Sequence, residues 1–249
     1  MADFSLTVYH LYPDLLNLYG DKGNISVLKK RCEWRKIACQ VKTLCEADTP
    51  DFSDVDIVLL GGGSNREQLL VSQYASVVAK PLRDYVQADG VTLAVCAGYQ
   101  LMGNFYEAEG KMIPCFGILD IDTVSGEGRL IGNVVIEAEL GDKKVLLAGF
   151  ENHGGRTNIK QNRPLGRVVS GFGNDGQSGC EGVLYKNTVA TYLHGPILPK
   201  NPELADFLIL RALQKKYPGK FSDGLAPLDD SAEQQAKQAL IDLSTAHGV

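Results

Sequence analysis

No stretch of this sequence approaches the ~18 continuous apolar residues of a membrane span, so membrane insertion is not expected. No long run of Lys or Arg is present, which argues against nucleic acid as a partner. The six cysteines, at 32, 39, 45, 96, 115 and 180, form no C-x-x-C pair and no regular framework. That scatter argues against zinc, with no metal site expected, and against a disulfide scaffold; it fits a reducing cytoplasm. The opening, Met1-Ala-Asp-Phe-Ser-Leu-Thr-Val-Tyr-His10, has no basic region followed by a long apolar core, so no secretory signal is expected. Histidine is scarce, with four residues at 10, 153, 194 and 247, which limits the choice of a catalytic imidazole.

What is present is ample core for one large α/β domain: 249 residues, 44% hydrophobic, net charge −5 with signs mixed. Phe4–Tyr12 alternates and predicts a first strand. Leu16–Asn24 is turn-rich, and Asn24 is placed to cap a following amphipathic helix with Ile25, Leu28, Cys32 and Arg35 on one side. Strands are predicted at Ile37–Leu44 and Val55–Leu60, the latter running into Gly61-Gly-Gly63. A helical region follows over about Asn65–Gln87, with Pro81 expected to break or kink it. This β-α-β-β-α-β-α order predicts a mainly parallel sheet covered on both faces, with ligand sites at the C-terminal strand ends. From Phe116 to about Tyr192 short β-like runs separated by glycine-rich loops dominate, read as an antiparallel extension of the same domain. Helices are predicted at Pro202–Tyr217 and Ser231–Ala246, joined by a Gly/Pro-containing connection. The expected division is a domain over residues 1–217 and a C-terminal helical extension over 218–249.

The most informative stretch is Val91-Thr-Leu-Ala-Val-Cys-Ala-Gly-Tyr-Gln100. A short apolar strand ends at Cys96, small residues permit a sharp turn, and a helix-like segment follows. The order parallels the serine elbow of hydrolases with a thiol in place of the hydroxyl. A helix N-terminus favours a thiolate; a buried structural cysteine is the other reading. His194 ends the run Val189–Leu193 and so also lies at a strand end, where it can serve as the base a thiol nucleophile needs. His153, flanked by Gly154 and Gly155, is the competitor; the glycines fit close backbone approach to a ligand or a plain turn. Gly61-Gly62-Gly63 is not a phosphate loop, because no Gly-Lys-Ser/Thr follows. It fits an oxyanion hole, in which each backbone donor is worth about 3–4 kcal/mol, and equally a tight strand-to-helix turn.

Val95-Cys-Ala-Gly-Tyr-Gln100, the Gly61–Gly63 strand end and Tyr192-Leu-His-Gly-Pro196 together resemble the class I glutamine amidotransferases of the cobyric-acid-synthase-like branch. More narrowly, Leu16–Asn24, Glu151-Asn-His-Gly-Gly-Arg-Thr157 and Tyr192–Lys200 are similar to the glutaminase subunits of lipid II isoglutaminyl synthases. The resemblance spans roughly residues 5 to 215. It implies a flavodoxin-like three-layer α/β fold and a glutaminase in which Cys96 forms a γ-glutamyl thioester and His194 protonates the leaving ammonia. It further implies that backbone N–H groups of Gly62 and Ala97 hold the oxyanion, and that Gln100, Arg129 and the Gly61, Gly63, His153 and Gly154 surroundings place the substrate. It implies a heterodimer with a Mur-ligase-like synthetase subunit that uses ATP to amidate the D-glutamate of the peptidoglycan stem, near the inner face of the membrane, with no cofactor in this chain. One departure is plain. Many class I members carry His-x-Glu, and here the position two after His194 is Pro196; the partner subunit is the expected source of the acid. A stand-alone cysteine hydrolase of γ-glutamyl compounds and a non-catalytic flavodoxin-like regulatory subunit are the alternatives.

Overall fold

The computed structural model describes residues 3–108 and 110–246; His247 lies outside them. The first sheet is built from β1 (Phe4–Leu11), β2 (Ile37–Leu44), β3 (Ile57–Leu60) and β4 (Val91–Val95), joined late in the chain by β11 (Val183–Tyr185) and β12 (Thr188–Thr191). Its order is β11-β12-β4-β3-β1-β2, with every pair parallel except β11 against β12. The pattern of the strands explains their places. Ile57–Leu60 is wholly apolar and Val91–Val95 is apolar but for Thr92, and every residue in them is buried, as for strands covered on both faces. Ile37–Leu44 has polar residues along its length, is half-exposed and forms the edge.

Helices α1 (Lys22–Trp34) and α5 (Pro202–Lys216) pack on each other and against this sheet. Asn24 does not cap α1. The helix begins two residues earlier with Asp21 at its N-cap, and the Asn24 side-chain oxygen instead accepts from the Leu198 N–H at 2.9 Å. The region Asn65–Gln87 is two helices, α2 (Asn65–Ser72) and α3 (Ala75–Gln87), and the break falls at Gln73–Tyr74 rather than at Pro81, which lies inside α3. The Ser72 hydroxyl bonds back to the Leu69 carbonyl at 2.8 Å, offering the backbone an alternative to continuing the ladder. At the other end Ser64 and Glu67 form a capping box that starts α2 directly after the glycine turn.

The β-rich middle makes a sheet of its own. Strands β5 (Phe105–Ala108), β6 (Lys111–Pro114), β7 (Asp122–Leu140), β8 (Lys143–Asn158), β9 (Gly166–Ser170) and β10 (Cys180–Glu181) pair mostly antiparallel; β5 runs parallel to β7. Its spine is the long β7–β8 hairpin, of which the runs Arg129–Glu137 and Lys144–Ala148 are parts. The two sheets meet where Phe150 of β8 and His194 exchange backbone hydrogen bonds of 3.1 and 2.9 Å. Gly149 lies so close to Leu193 that an added Cβ would sit 2.9 Å from the leucine Cβ.

Helix α6 (Ser231–Ala246) docks on β7, β8 and a 3-10 turn at Leu198–Lys200. Its docking is polar rather than through an apolar stripe. Lys237 is buried and pairs with Glu203 at 2.6 Å, and Gln234 donates to the same carboxylate. Just before the helix, Asp230 meets the buried Arg31 guanidinium, which Asp206 of α5 holds from its other edge. Among the described residues no helix is long and apolar enough to cross a membrane.

Candidate active site

Because β12 pairs with β4 with Thr191 opposite Val95, the two chains leave the sheet side by side and set Cys96 next to Tyr192. Cys96 then turns with φ +53°, in the left-handed region that costs a non-glycine residue roughly 1–3 kcal/mol. Its surroundings fix it there. Its N–H donates to the Thr191 carbonyl at 2.9 Å and its own carbonyl accepts from Gln100 N–H at 3.1 Å. Helix α4 (Ala97–Leu101) starts at once, and Gly98 N–H donates to the Gly61 carbonyl at 3.0 Å. Gly98 is obligatory in this contact: an added Cβ would stand 2.7 Å from the Leu60 carbonyl oxygen. The strand, cysteine, turn and helix read from the sequence are therefore present.

The thiolate expected from the helix N-terminus is not. Burial, and then the negative charge of Asp21, push the Cys96 thiol up to about 12; the Ala97 N–H and Arg129 oppose the rise and do not win. Helix α4 has only five residues, so its dipole offers little against desolvation of a residue that is 7% exposed.

His194 is fully buried. Its ring stacks on Tyr19 at 3.8 Å between centroids, and Phe150 meets it edge-on. Neither ring nitrogen has a hydrogen-bond partner. Burial, aided by the nearby His153 and Arg129, lowers it to about 4, so the imidazole is neutral near pH 7. No acid stands two residues on: Pro196 is packed under α1, where an added Cβ on Gly23 would lie 2.6 Å from its ring.

Gly62 lies against Cys96, since an added Cβ would come within 3.4 Å of the cysteine Cβ. Its N–H, expected to face a substrate oxygen, donates instead to Asp21 Oδ2 at 2.9 Å. Gly61 and Gly63 flank it under Leu16, Gly61 so tightly that a side chain would collide with the Leu16 carbonyl oxygen. They shape the turn. The N–H of Ala97 favours the ionised form of the Cys96 sulfur.

The remaining candidates come from the second sheet. Arg129 sits at a register irregularity in β7, between Ser125 and Leu130, which swings it out of the ladder. Its guanidinium is exposed and held by Asn152, through Nε to Oδ1 at 2.7 Å and Nη2 to the carbonyl at 2.8 Å. Its charge reaches Cys96, His194 and Tyr19. Gly154 is its neighbour, with an added Cβ in ordinary contact at 3.7 Å. Gln100 is nearly buried and donates to the Tyr192 hydroxyl at 2.8 Å, which continues through Thr157 (2.6 Å) to Thr123 (2.8 Å). His153 stacks flat on Tyr192 at 3.6 Å, donates from Nδ1 to the Gly155 carbonyl at 2.8 Å, and leaves Nε2 facing Glu151 at 3.7 Å. His153 thus stands behind Tyr192, and His194 lies just past the end of β12, the parallel neighbour of the strand that ends at Cys96.

Sequence reasoning missed Asp21, Tyr19, Tyr192 and the buried acids Glu151 and Glu181. Asp21 and Tyr19 lie in the turn-rich Leu16–Asn24, where Asp and Gly read as turn residues. Tyr192 had a signal, since it lies in the same run as His194.

Cysteine and histidine at neighbouring parallel strand ends, with a glycine turn closed over the cysteine, place the molecule in a class: an α/β protein arranged for thiol-based acyl transfer. The particular family is the CobB/CobQ-like glutamine amidotransferases, to which the chain belongs; that domain matches residues 7–202. The chain is 42% identical over 239 residues to the lipid II isoglutaminyl synthase (glutamine-hydrolyzing) subunit GatD of Staphylococcus aureus strain N315, covering 95% of each. It is 41% identical to the subunit of the same name from Streptococcus pneumoniae strain R6, over 86% of this chain and 83% of that one. A probable cobyric acid synthase of Methanococcus maripaludis strain C7 is 30% identical over 64% of this chain and 34% of its own length. A glutamine amidotransferase crystal structure shares the fold, with a TM-score of 0.55 at 14% identity over 82% of this chain and 98% of that one.

Proposed function

We propose that the chain is the glutaminase subunit of a lipid II isoglutaminyl synthase, hydrolysing L-glutamine and passing ammonia to a partner. The observation that carries this is the elbow itself, Cys96 at φ +53° against Gly62, on a chain that is 42% identical to such a subunit over 95% of both. In this reading Cys96 Sγ attacks the side-chain amide carbon of glutamine and its proton passes to His194. His194 then protonates the departing nitrogen, ammonia leaves, and a γ-glutamyl thioester remains. Water, relieved of a proton by the same imidazole, attacks the thioester, and glutamate and the thiol are released. The developing oxyanion is held by N–H groups at Ala97 and Gly62. Arg129, reaching over the site from β7, pairs with the substrate α-carboxylate, with Gln100, His153 and Gly154 shaping the pocket.

His194 must carry a positive charge in the transition state, and its free-chain environment resists that charge. An acid facing one of its unpartnered nitrogens would correct both its orientation and its basicity. We assign that acid to the partner, which we take to be a Mur-ligase-like, ATP-using synthetase that amidates the D-glutamate of the lipid II stem. The complex would then work in the cytoplasm at the inner membrane face, and this chain would need no cofactor. Residues 218–249 would be an extension on the amidotransferase domain 1–217.

The test is ammonia release from glutamine by the free chain and by the co-expressed pair. Cys96→Ala is expected to lower release by ~10³-fold or more in the pair. Wild-type release is expected to rise at least ~10²-fold on pairing. Turnover equally fast without the partner would refute the donated acid, and release that survives Cys96→Ala would refute the thioester.

A further inference from the structure

Asp21 is fully buried, yet among the described residues no lysine, arginine or histidine pairs with it. The neighbouring Lys22 points away, to Asp14 at 3.5 Å. At the N-cap of α1 its side chain caps nothing; it crosses to the glycine turn after β3 and accepts the Gly62 N–H at 2.9 Å, with Asn24 Nδ2 a distant 3.5 Å from its other oxygen. A buried carboxylate without a cation is costly for a fold. It stands beside the nucleophile, since an added Cβ on Gly62 would be 3.4 Å from the Cys96 Cβ and 3.5 Å from Asp21 Oδ2. Two residues earlier in the same loop, Tyr19 covers the His194 ring. Between them Gly20 has φ +76° and open space around it. One short loop therefore stacks on one half of the proposed catalytic pair and, through Gly62, flanks the other.

We infer that the loop Leu16–Asp21 is a latch on the nucleophile, and that the Asp21 carboxylate holds the free chain in a low-activity state by occupying the Gly62 donor. The inference rests on the glutaminase reading and adds its regulation. Two consequences follow from elementary electrostatics. A donor already bonded to a carboxylate is not available to an acyl oxygen. An anion beside the sulfur makes a second anion there harder to form, and the charge of Asp21 is the largest charge effect on the Cys96 thiol. Burial holds Asp21 itself up to about 6, so the carboxylate is mostly ionised at neutral pH, when it opposes the thiolate. The ionisable groups around this contact are Cys96 at the elbow, Tyr19 in the loop, and Arg129 and His194 beyond them; the last two favour the thiolate or are neutral. Turning the loop outward about Gly20 frees the Gly62 N–H and uncovers His194 in one movement. Seating of glutamine and partner is the event that drives it.

The experiment follows alkylation of Cys96 by iodoacetamide against pH in the full free chain, read by peptide mass spectrometry so that the other five cysteines are scored apart. Asp21→Asn removes the charge and keeps the shape. It is expected to move the alkylation midpoint down by about one pH unit, about a tenfold faster reaction at neutral pH. Asp21→Glu, which restores the charge, is expected to bring back the slow reaction. Asp21→Ala also frees the Gly62 N–H, so glutamine hydrolysis by the free chain is expected to rise several-fold and the stimulation by the partner to shrink. An Asp21→Asn midpoint that is unmoved or higher overturns the latch, as does an Asp21→Ala chain that is folded and no faster. If the variants fail to fold, the Gly62 amide resonance of the wild-type chain decides. It is expected to shift when Cys96 is acylated by a glutamine-mimicking diazoketone, and an unchanged resonance overturns the proposal. Absence of Cys96-dependent ammonia from the wild-type pair would count against the glutaminase reading instead, and the alkylation profiles would still judge the latch.

Discussion

The two sheets of this protein contribute to the site in different currencies. The first contributes main-chain geometry. Cys96, Gly62 and His194 stand where they do because short, fully buried strands end together and because glycines allow backbones to touch. The second contributes side chains on a long and partly exposed hairpin: Arg129 lifted out by an irregularity, His153 stacked behind Tyr192, Asn152 holding Arg129. The lesson is a division of labour. Damage to the first sheet should lose turnover and stability together, whereas damage to the second should lose substrate binding and leave the fold intact.

The sharpest way to break that division is a pair of glycine substitutions. Gly98→Ala forces a methyl to within 2.7 Å of the Leu60 Cβ and carbonyl oxygen, neither of which is a flexible side-chain end. The expected cost is about 1–3 kcal/mol of stability. The accompanying shift of Cys96 by even ~1 Å is expected to lower kcat by ~10². Gly132→Ala on β7 is the counterpart, with its nearest neighbour a Phe172 ring carbon at 3.9 Å and no positive φ. It is expected to leave stability within about 0.5 kcal/mol. Thermal unfolding and ammonia release measured on both would show the asymmetry; equal losses in the two variants would dissolve it.

Arg129→Ala tests the other side. In the proposed reading, losing the guanidinium removes a charge-assisted pair with the substrate α-carboxylate, with an expected rise in KM for glutamine of roughly 30–100-fold and a smaller change in kcat. Arg129→Lys is expected to recover only part, because an ammonium cannot reproduce the planar fork that Asn152 orients. The melting temperature should not move, since the side chain is exposed. A variant with unchanged KM and depressed kcat would mean that Arg129 acts on the chemistry and not on binding.

The same division explains what could be read from the sequence. Ile57–Leu60 and Val91–Val95 declare themselves because a strand buried on both faces is mostly apolar, with Thr92 the one polar residue in the two, and the change at Gly61 or Cys96 marks the strand end. From there the parallel sheet and the placing of Cys96 and His194 follow. The second sheet was legible only in fragments. Its 19-residue β7 mixes polar and glycine residues because much of it is exposed, so the pattern breaks it into pieces that the structure joins. The state of the thiol was misread for another reason. Local sequence shows the helix start but not the burial or the distant Asp21, and those two outweigh it. Asp21 itself was invisible because its partner, Gly62, is 41 residues away. The break at Gln73–Tyr74 was missed because Pro81 is the stronger local signal, though inside α3 the surrounding packing tolerates it.

Glu181, where the two sheets cross, gives the smallest and most specific test. It ends the second sheet at β10, but its carboxyl oxygens accept from the Tyr192 N–H at 2.6 Å and the Thr191 hydroxyl at 2.9 Å, both at the end of the first. Burial, with Glu151 nearby, raises it to about 8 despite those donors, so it is largely protonated in the folded chain near pH 7. The sign of the consequence is fixed. A carboxyl that holds its proton longer folded than unfolded favours the fold fully below its unfolded value, near 4.5, and that advantage is lost as pH rises through about 8. Glu181's share of the stability is therefore expected to fall across that window by on the order of a few kcal/mol, against the opposite slope from the lowered His10 and His194, and is read as the difference between wild type and Glu181→Gln in urea unfolding at pH 5 and pH 8. Glu181→Gln, which cannot ionise, is expected to remove most of that slope while leaving KM for glutamine unchanged. If the slope persists in Glu181→Gln, the pH dependence belongs to residues elsewhere, and the crossing point is held by packing alone.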